Sequence, residues 1–312
     1  MAKQYRWRIV QAGAIDPLLW DRCVASDPAA KVYNYYDYLN TFARTWKGAV
    51  YGDYEACFPL TGFRKGHLPW LMKPAATQQL QLAVLGGINP GPAVTEGLRE
   101  LILQHYKVIQ VAVSPPVDLG PVTRVRTNYC LDLSPEYSLL RSGFTRSGLR
   151  NIKKAEAAGL SLEQTADIDI VIELYQAAYG ALAQLKTYVY EAFRKLAGQQ
   201  YRHFRARTYV VKEESGTIVF AALLLEDHKA LYYVLGAPTE KGRSLRATYY
   251  FIGELIRQNA GKPIKLDFEG SDIKSVADFY LSFGPQEEKY HFYQLNRYAQ
   301  PLKWVLQSVL GF

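Results

Sequence analysis

Asp267, Glu269 and Tyr280 lie in one short stretch, residues 266–284 (LDFEGSDIKSVADFYLSFG), and their side chains suit proton transfer. Ile264, Leu266 and Phe268 alternate with Lys265, Asp267 and Glu269. A period of two predicts a strand with its apolar set on one face and both acids on the other. Gly270 and Ser271 interrupt it, and Val276, Phe279, Tyr280 and Phe283 then recur at helical spacing up to Gly284, a C′ glycine in this reading. An amine must lose its proton before it attacks a carbonyl, so a carboxylate beside it has a definite task. Glu269 is favoured over Asp267, because it stands at the strand's end next to a pliable Gly-Ser. A phenol near pKa ~10 suits protonation of a departing thiolate, not base work near neutrality. A strand and helix packed in an ordinary core would explain the apolar positions, with Tyr280 bonded to the backbone. It would leave the paired acids without a role.

Further groups suit anions. Between Arg141 and Lys154 the basic residues Arg141, Arg146, Arg150, Lys153 and Lys154 occur without one acid. On a helix Arg146, Arg150, Lys153 and Lys154 form a stripe opposite Leu149, Ile152 and Ala155. Such a face suits phosphate in a tRNA backbone, a nucleotide diphosphate or a lipid headgroup. A solvated helix face is the plainer alternative. Arg126 and Asn128, just upstream, are expected in the same cleft. Thr77, Gln78 and Gln79 form a polar cluster among apolar neighbours, and amides suit a peptide or sugar acceptor. On a strand the two glutamines would face opposite ways, so one of them would line a cavity. Tyr33, Asn34, Tyr35 and Tyr36 suit a cleft edge or a helix start capped by Asn34.

These residues need elements to hold them. The pattern predicts a strand over 5–10, helices over 16–25 and 33–45, strands over 49–60 and 68–72, a helix over 95–105 and a strand over 108–113. Ser114-Pro115-Pro116 and Gly120-Pro121 close this half. A second half follows with a strand over 128–133, a long helical region over 135–158 and more helix between 169 and 197. Strands over 208–212 and 218–225 flank the hairpin-like loop Glu213-Glu214-Ser215-Gly216, and a strand over 230–235 leads to a helix over 245–258. Helices, an antiparallel meander and then strand-helix-strand indicate an α+β fold with mixed, mostly antiparallel sheets. The expected domains are 1–125 and 126–312.

The bulk composition sets limits. The 312 residues, 49% hydrophobic and 21% charged, are those of a soluble globular chain large enough for two modest domains. No run approaches a membrane span, and the first residues carry charge where a secretory signal would be apolar. Cys23, Cys57 and Cys130 are isolated and odd in number, and no Cys or His pair has zinc-ligand spacing. A reduced, cytoplasmic setting without a metal is therefore expected. The net charge of +8 favours anionic partners such as tRNA, coenzyme A, nucleotide-linked substrates or an anionic membrane surface, although a chain can be basic without one. The tail 301–312 repeats Leu302, Val305, Leu306 and Val309 at helical spacing, a pattern for packing on its own domain or for peripheral membrane contact.

Several colinear segments resemble the Fem-type branch of the GNAT acyltransferase superfamily, and within it a group of Fem-like proteins of Bacteroidetes. They are Trp46, DYEACFPL (53–60), ATQQLQL (76–82), RTNYCLDL (126–133), RNIKKAEAAGL (150–160) and the acidic strand and helix above, continuing to Asn296 and Pro301. The resemblance implies two tandem GNAT-like domains with a cleft between them, and acyl or aminoacyl transfer to an amine, such as that of a cell-envelope precursor. It implies acyl-CoA or aminoacyl-tRNA as donor substrate, with no tightly bound cofactor. Ala277, Phe279, Tyr280 and Gly284 match a GNAT helix pattern whose tyrosine often protonates the leaving thiolate. The GNAT pyrophosphate loop, [QR]-x-x-G-x-[GA] before a helix, would correspond to Thr239-Glu240-Lys241-Gly242-Arg243-Ser244, which keeps one glycine. Lys241 and Arg243 could hold phosphates there, and Ser244 could cap the helix. Fem-type enzymes also lack the full loop, and so would a GNAT-fold module that binds an anionic glycan precursor or RNA without catalysis.

Overall fold

In the structure, a computed structural model describing residues 5–65, 68–298 and 300, the chain divides into two units. One contains the described residues up to Arg126 and those from Lys289 onward; the other is Thr127–Glu288. An undivided 126–312 domain would have kept the last strand with the second unit. Instead the residues from His291 to Asn296 pair antiparallel with Val108–Val113 of the first.

The first unit is built from strands β1 (Trp7–Gln11), β2 (Thr45–Tyr51), β3 (Ala56–Lys65), β4 (Leu68–Met72), β5 (Ala83–Val84) and β6 (Val108–Val113), with helices α1 (Pro17–Ser26), α2 (Tyr36–Phe42) and α3 (Pro92–His105). Asp16 starts α1, its Oδ1 accepting from the amides of Leu18 and Leu19, and Pro17 follows where a missing N–H costs nothing. The strand expected over 49–60 is two strands. Gly52 and Tyr54 take left-handed backbone angles and turn the chain between β2 and β3. Likewise 33–45 is a 3-10 turn followed by α2, and Asn34 caps neither: its amide donates to the Gln81 carbonyl at 2.7 Å. β1 to β4 run antiparallel in sequence, whereas β4 and β6 are parallel over three pairs, Trp70–Met72 against Val108–Gln110. Phe58, Leu60, Leu98, Ile102, Ile109 and Val111 fill the core between this sheet and α3.

The second unit runs through β7 (Arg124–Asp132), α4 (Tyr137–Ser142), α5 (Arg146–Glu156), β8 (Ser161–Thr165), α6 (Ile168–Ala183), α7 (Thr187–Ala197), β9 (Phe204–Lys212), β10 (Ile218–Asp227), β11 (Ala230–Pro238), α8 (Glu240–Ser244), α9 (Ala247–Asn259), β12 (Lys265–Asp267) and α10 (Lys274–Leu281). The last strand, β13 (Gln286–Asn296), begins here. The sheet order is β7-β12-β11-β10-β9-β8. Within it only β11 and β12 are parallel, again over three pairs, Ala230–Tyr232 against Lys265–Asp267. The expected helix over 135–158 is broken at Gly143–Thr145, because Thr145 caps a new helix, its Oγ1 accepting from Gly148 at 3.1 Å. A β-carbon at Gly148 would lie 2.6 Å from the Ser282 carbonyl, so this glycine lets α5 sit against the end of α10. Ile152, Phe220, Phe251, Leu266, Phe268 and Phe283 form the core. The tail 301–312, with its membrane or packing pattern, lies outside the described residues.

Candidate active site

The short parallel pairing in the second unit creates the site. β12 ends at Asp267, whereas β11 continues to Pro238, so beyond Tyr232 the two strands no longer bond. A pocket of about 910 Å³ opens there, a volume suited to a small ligand. β11 is bulged at this point. Leu223 faces Leu235 and Leu224 faces Tyr233, which leaves Val234 as the extra residue and turns both Tyr233 and Val234 to the pocket wall. Gly236 follows because Tyr233 folds over it: a β-carbon there would lie 1.9 Å from the Tyr233 hydroxyl. α10 supplies Phe279 and Tyr280, α6 supplies Tyr175 and Tyr179, α8 supplies Arg243, and Arg246 comes from the link between α8 and α9.

Tyr280 is held by ring contacts to Phe268, at 5.0 Å between centroids, and to Phe279, at 5.6 Å. Burial pushes its phenol well above the ordinary value, and the Glu269 carboxylate adds to the effect. Tyr280 is therefore a protonated O–H donor at any physiological pH. Asp267 is buried, and its Oδ1 accepts the amide of Glu269 at 2.9 Å. Glu269 has left the strand and takes a left-handed backbone angle, φ 65°, so the two acids do not share a strand face as their spacing suggests. The alternation fails because β12 stops at Asp267 and the chain turns at once. Neither acid is in the pocket wall, although the charge of Glu269 acts on Tyr280.

No protein-family model matches the sequence, and no curated protein matches it. Solved structures do. FemX superposes with a TM-score of 0.62 at 12% identity, covering 96% of this chain and 100% of FemX. A conserved protein of unknown function from Bacteroides thetaiotaomicron gives 0.54 at 14%, over 94% of this chain and 100% of that one. A tandem GNAT protein from the clavulanic acid biosynthesis pathway gives 0.50 at 11%, over 92% and 97%. The chain has the tandem GNAT fold.

In this GNAT fold the loop before α9 departs from an open phosphate cradle. Ser244 does not cap α9, which Arg246 precedes without a side-chain cap; Thr239 caps α8, its Oγ1 taking the Gly242 amide at 3.0 Å. Ser244 bonds back to the Glu240 carbonyl at 3.4 Å. Gly242 is required by packing, since a β-carbon would come within 2.0 Å of the Val219 carbonyl. Lys241 is drawn to Glu213 at 2.5 Å. Of the four loop residues, Gly242 and Arg243 reach the pocket wall, and Lys241 and Ser244 do not. Arg246, for which the sequence carries no local signal, joins Arg243 because its own left-handed backbone angle (φ 62°) turns the chain from α8 into α9. Among the described residues neither guanidinium has an ion-pair partner.

None of the other candidates is among the residues that line this pocket. Arg146, Arg150, Lys153 and Lys154 are exposed on α5, opposite its buried Gly148, Ile152 and Ala155, and none lines the pocket. Asn128, fully buried in the second unit, reaches Cys130 Sγ at 3.1 Å and Glu288 at 3.4 Å. Gln78, Gln79 and Arg126 belong to the first unit. There residues 77–79 form no strand, and the two amides bond to each other at 2.9 Å instead of facing opposite ways. Ser114 Oγ donates to Gln79 at 2.5 Å, and Arg126 lies 4.8 Å above the Phe292 ring. Nearby Lys73, its Nζ donating to the Thr77 carbonyl at 2.5 Å, is pushed down to about 8 by burial and then by the Arg126 charge. Among the described residues no helix is long and apolar enough to cross a membrane, and no group of three His, Cys, Asp or Glu side chains could hold a metal.

Proposed function

We propose that the chain is an N-acyltransferase of the GNAT and Fem-like type, with its donor in the pocket between β11 and α10. The observation that carries this reading is the convergence of Tyr280, Arg243 and Arg246 on one cavity at the divergence of two parallel strands. The shared fold with FemX and a tandem GNAT protein supports it. The phosphates of an acyl-CoA, or of an aminoacyl-tRNA, would meet Arg243 and Arg246 as charged donors instead of a row of free amides. The amine nitrogen attacks the donor carbonyl carbon, a C–N bond forms, and the bond to the leaving sulfur or oxygen breaks. Glu269 takes the proton from the amine, and Tyr280 delivers one to the leaving group. Asp267 holds the turn that carries Glu269. The exposed stripe of α5 adds sequence-independent attraction for a donor or acceptor rich in phosphate. The amine acceptor would be of the envelope-precursor kind. Three buried thiols without a disulfide support a reduced, cytoplasmic setting.

Thiol release from acyl-CoA, or deacylation of aminoacyl-tRNA, in the presence of a panel of amines tests the reading. Tyr280→Phe and Glu269→Gln should each lower turnover by roughly 10²- to 10⁴-fold while the fold survives. Unchanged turnover in both would remove them from the mechanism. A second reading, a non-catalytic module for an anionic glycan precursor or RNA, is favoured by one observation: the Gly242 amide is already taken by Thr239. Calorimetry with acetyl-CoA, longer acyl-CoAs and aminoacyl-tRNA separates the two, since binding of none would favour the module.

A further inference from the structure

Four phenols converge on the pocket: Tyr175 and Tyr179 from α6, Tyr233 from the bulge of β11, and Tyr280 from α10. Tyr175 and Tyr179 stand one helical turn apart, with rings 5.5 Å apart. Tyr233 and Tyr280 are each 8% exposed. Among the described residues none of the four hydroxyls has a hydrogen-bond partner in the protein. Burial raises the phenols of Tyr175, Tyr233 and Tyr280, and each of these is raised further by other tyrosines of the group. All three therefore stay protonated and present O–H donors. Thr248 and Ser275 add hydroxyls, Arg243 and Arg246 add cations, and no carboxylate is among the wall residues.

A wall of this kind selects by what it leaves unsatisfied. Water bonds the hydroxyls when the pocket is empty, and an entering group displaces that water. A saturated alkyl group would leave buried donors without acceptors, whereas a group bearing its own oxygens would replace the water bond for bond. A group bearing an ammonium would meet two guanidiniums in the wall, the carboxylates that act on Tyr280, Glu269 and Asp267, lying outside it. Resting on the reading of this pocket as the donor site, we infer that the transferred acyl group is oxygenated and not cationic. It carries a hydroxyl, carbonyl or carboxylate beyond the reacting carbonyl, for which Tyr175 and Tyr179 are specificity-determining.

Calorimetry on the full chain with coenzyme A, butyryl-CoA, β-hydroxybutyryl-CoA, succinyl-CoA and β-alanyl-CoA tests this. The hydroxybutyryl or succinyl thioester should bind at least about tenfold tighter than butyryl-CoA, and β-alanyl-CoA should bind weakest. Tyr175→Phe and Tyr179→Phe keep the rings, and their thermal melts report whether the fold is intact. They should bring the ratio of oxygenated to butyryl affinity toward one. Equal or tighter binding of butyryl-CoA, tightest binding of β-alanyl-CoA, or a ratio unmoved in both folded variants would overturn the inference and leave the donor reading standing. Binding of aminoacyl-tRNA alone would overturn the inference and leave the donor reading, whereas failure of coenzyme A, every thioester and aminoacyl-tRNA to bind would overturn the donor reading and this inference with it.

Discussion

Replacing Lys73 by methionine should stabilise the protein at neutral pH and destabilise it at high pH. The lysine amine is lowered from 10.5 to about 8, first by burial and second by the Arg126 guanidinium. The fold therefore disfavours the charged form. Below pH ~8 both folded and unfolded chains hold the proton, and the full penalty applies. As pH rises from about 8 to 10.5 the folded chain releases the proton first, and the penalty fades. At 1.36 kcal/mol per pH unit, that gap is on the order of 3 kcal/mol at pH 7 and below about 1 kcal/mol near pH 10. Against it stands the hydrogen bond from Nζ to the Thr77 carbonyl, whose loss costs about 1 kcal/mol at any pH. Lys73 is half-buried, and water trims the penalty further. Lys73→Met should thus gain about 1–2 kcal/mol at pH 7 and lose up to about 1 kcal/mol near pH 10. Urea denaturation of both proteins across that range measures the difference. A change of constant sign, or a loss at pH 7, would refute the reasoning.

Gly242→Ala places a β-carbon 2.0 Å from the Val219 carbonyl, so it should cost about 1–3 kcal/mol and weaken donor binding as Arg243 shifts. Gly13→Ala, with nothing within 4 Å, should stay within about 0.5 kcal/mol in the same melts, and equal losses would discredit the packing argument. Tyr106 is pushed up to about 12 by burial, so its contribution is intact below pH ~10 and is lost as pH climbs toward 12. Tyr106→Phe should flatten that alkaline decline by on the order of 1 kcal/mol, read from denaturation at pH 8 and 11. Donor titration by calorimetry should give one donor bound per chain, and a stoichiometry of two would contradict the filled gap of the first unit.

The sequence made some of this legible. Alternation over 264–268 and helical spacing over 276–283 located β12 and α10, and with them Tyr280, because both patterns report burial on one face. Other features are not written in periodicity. The bulge at Val234 depends on how β11 pairs with β10, so the run 230–235 has the pattern of a plain strand and nothing in it distinguishes Tyr233. Tyr175 and Tyr179 at i and i+4 were a usable signal, a two-tyrosine helix face, yet nothing local says which pocket that face meets. β8 and most of β13 are polar or mixed in pattern and carry no strand signal of their own. Their pairing energy comes from partner strands remote in sequence, which no short window contains. Glu269 misled for a related reason. A period of two holds only while the backbone stays extended, and its left-handed angle comes from the turn that Asp267 holds.

The two units answer one structural problem in different ways. Each contains a parallel pair of strands that bonds over three residues and then parts, which leaves backbone donors and acceptors exposed beyond the last pair. In the first unit the chain satisfies them itself. Residues 73–79 loop back, and Leu80 bridges to Val113, its amide donating to the Ala112 carbonyl at 2.8 Å while its carbonyl accepts from Ser114 at 3.2 Å. Leu80 and Leu82 then seal that gap with buried side chains. In the second unit the residue after β12 turns the other way, Phe268 donating its amide to Tyr129 of β7 at 2.9 Å. The edge of β11 from Tyr233 onward is left facing the pocket. The same divergence of strands is closed by the chain in one unit and open for a ligand in the other, which supports the proposal of a donor bound beside α10.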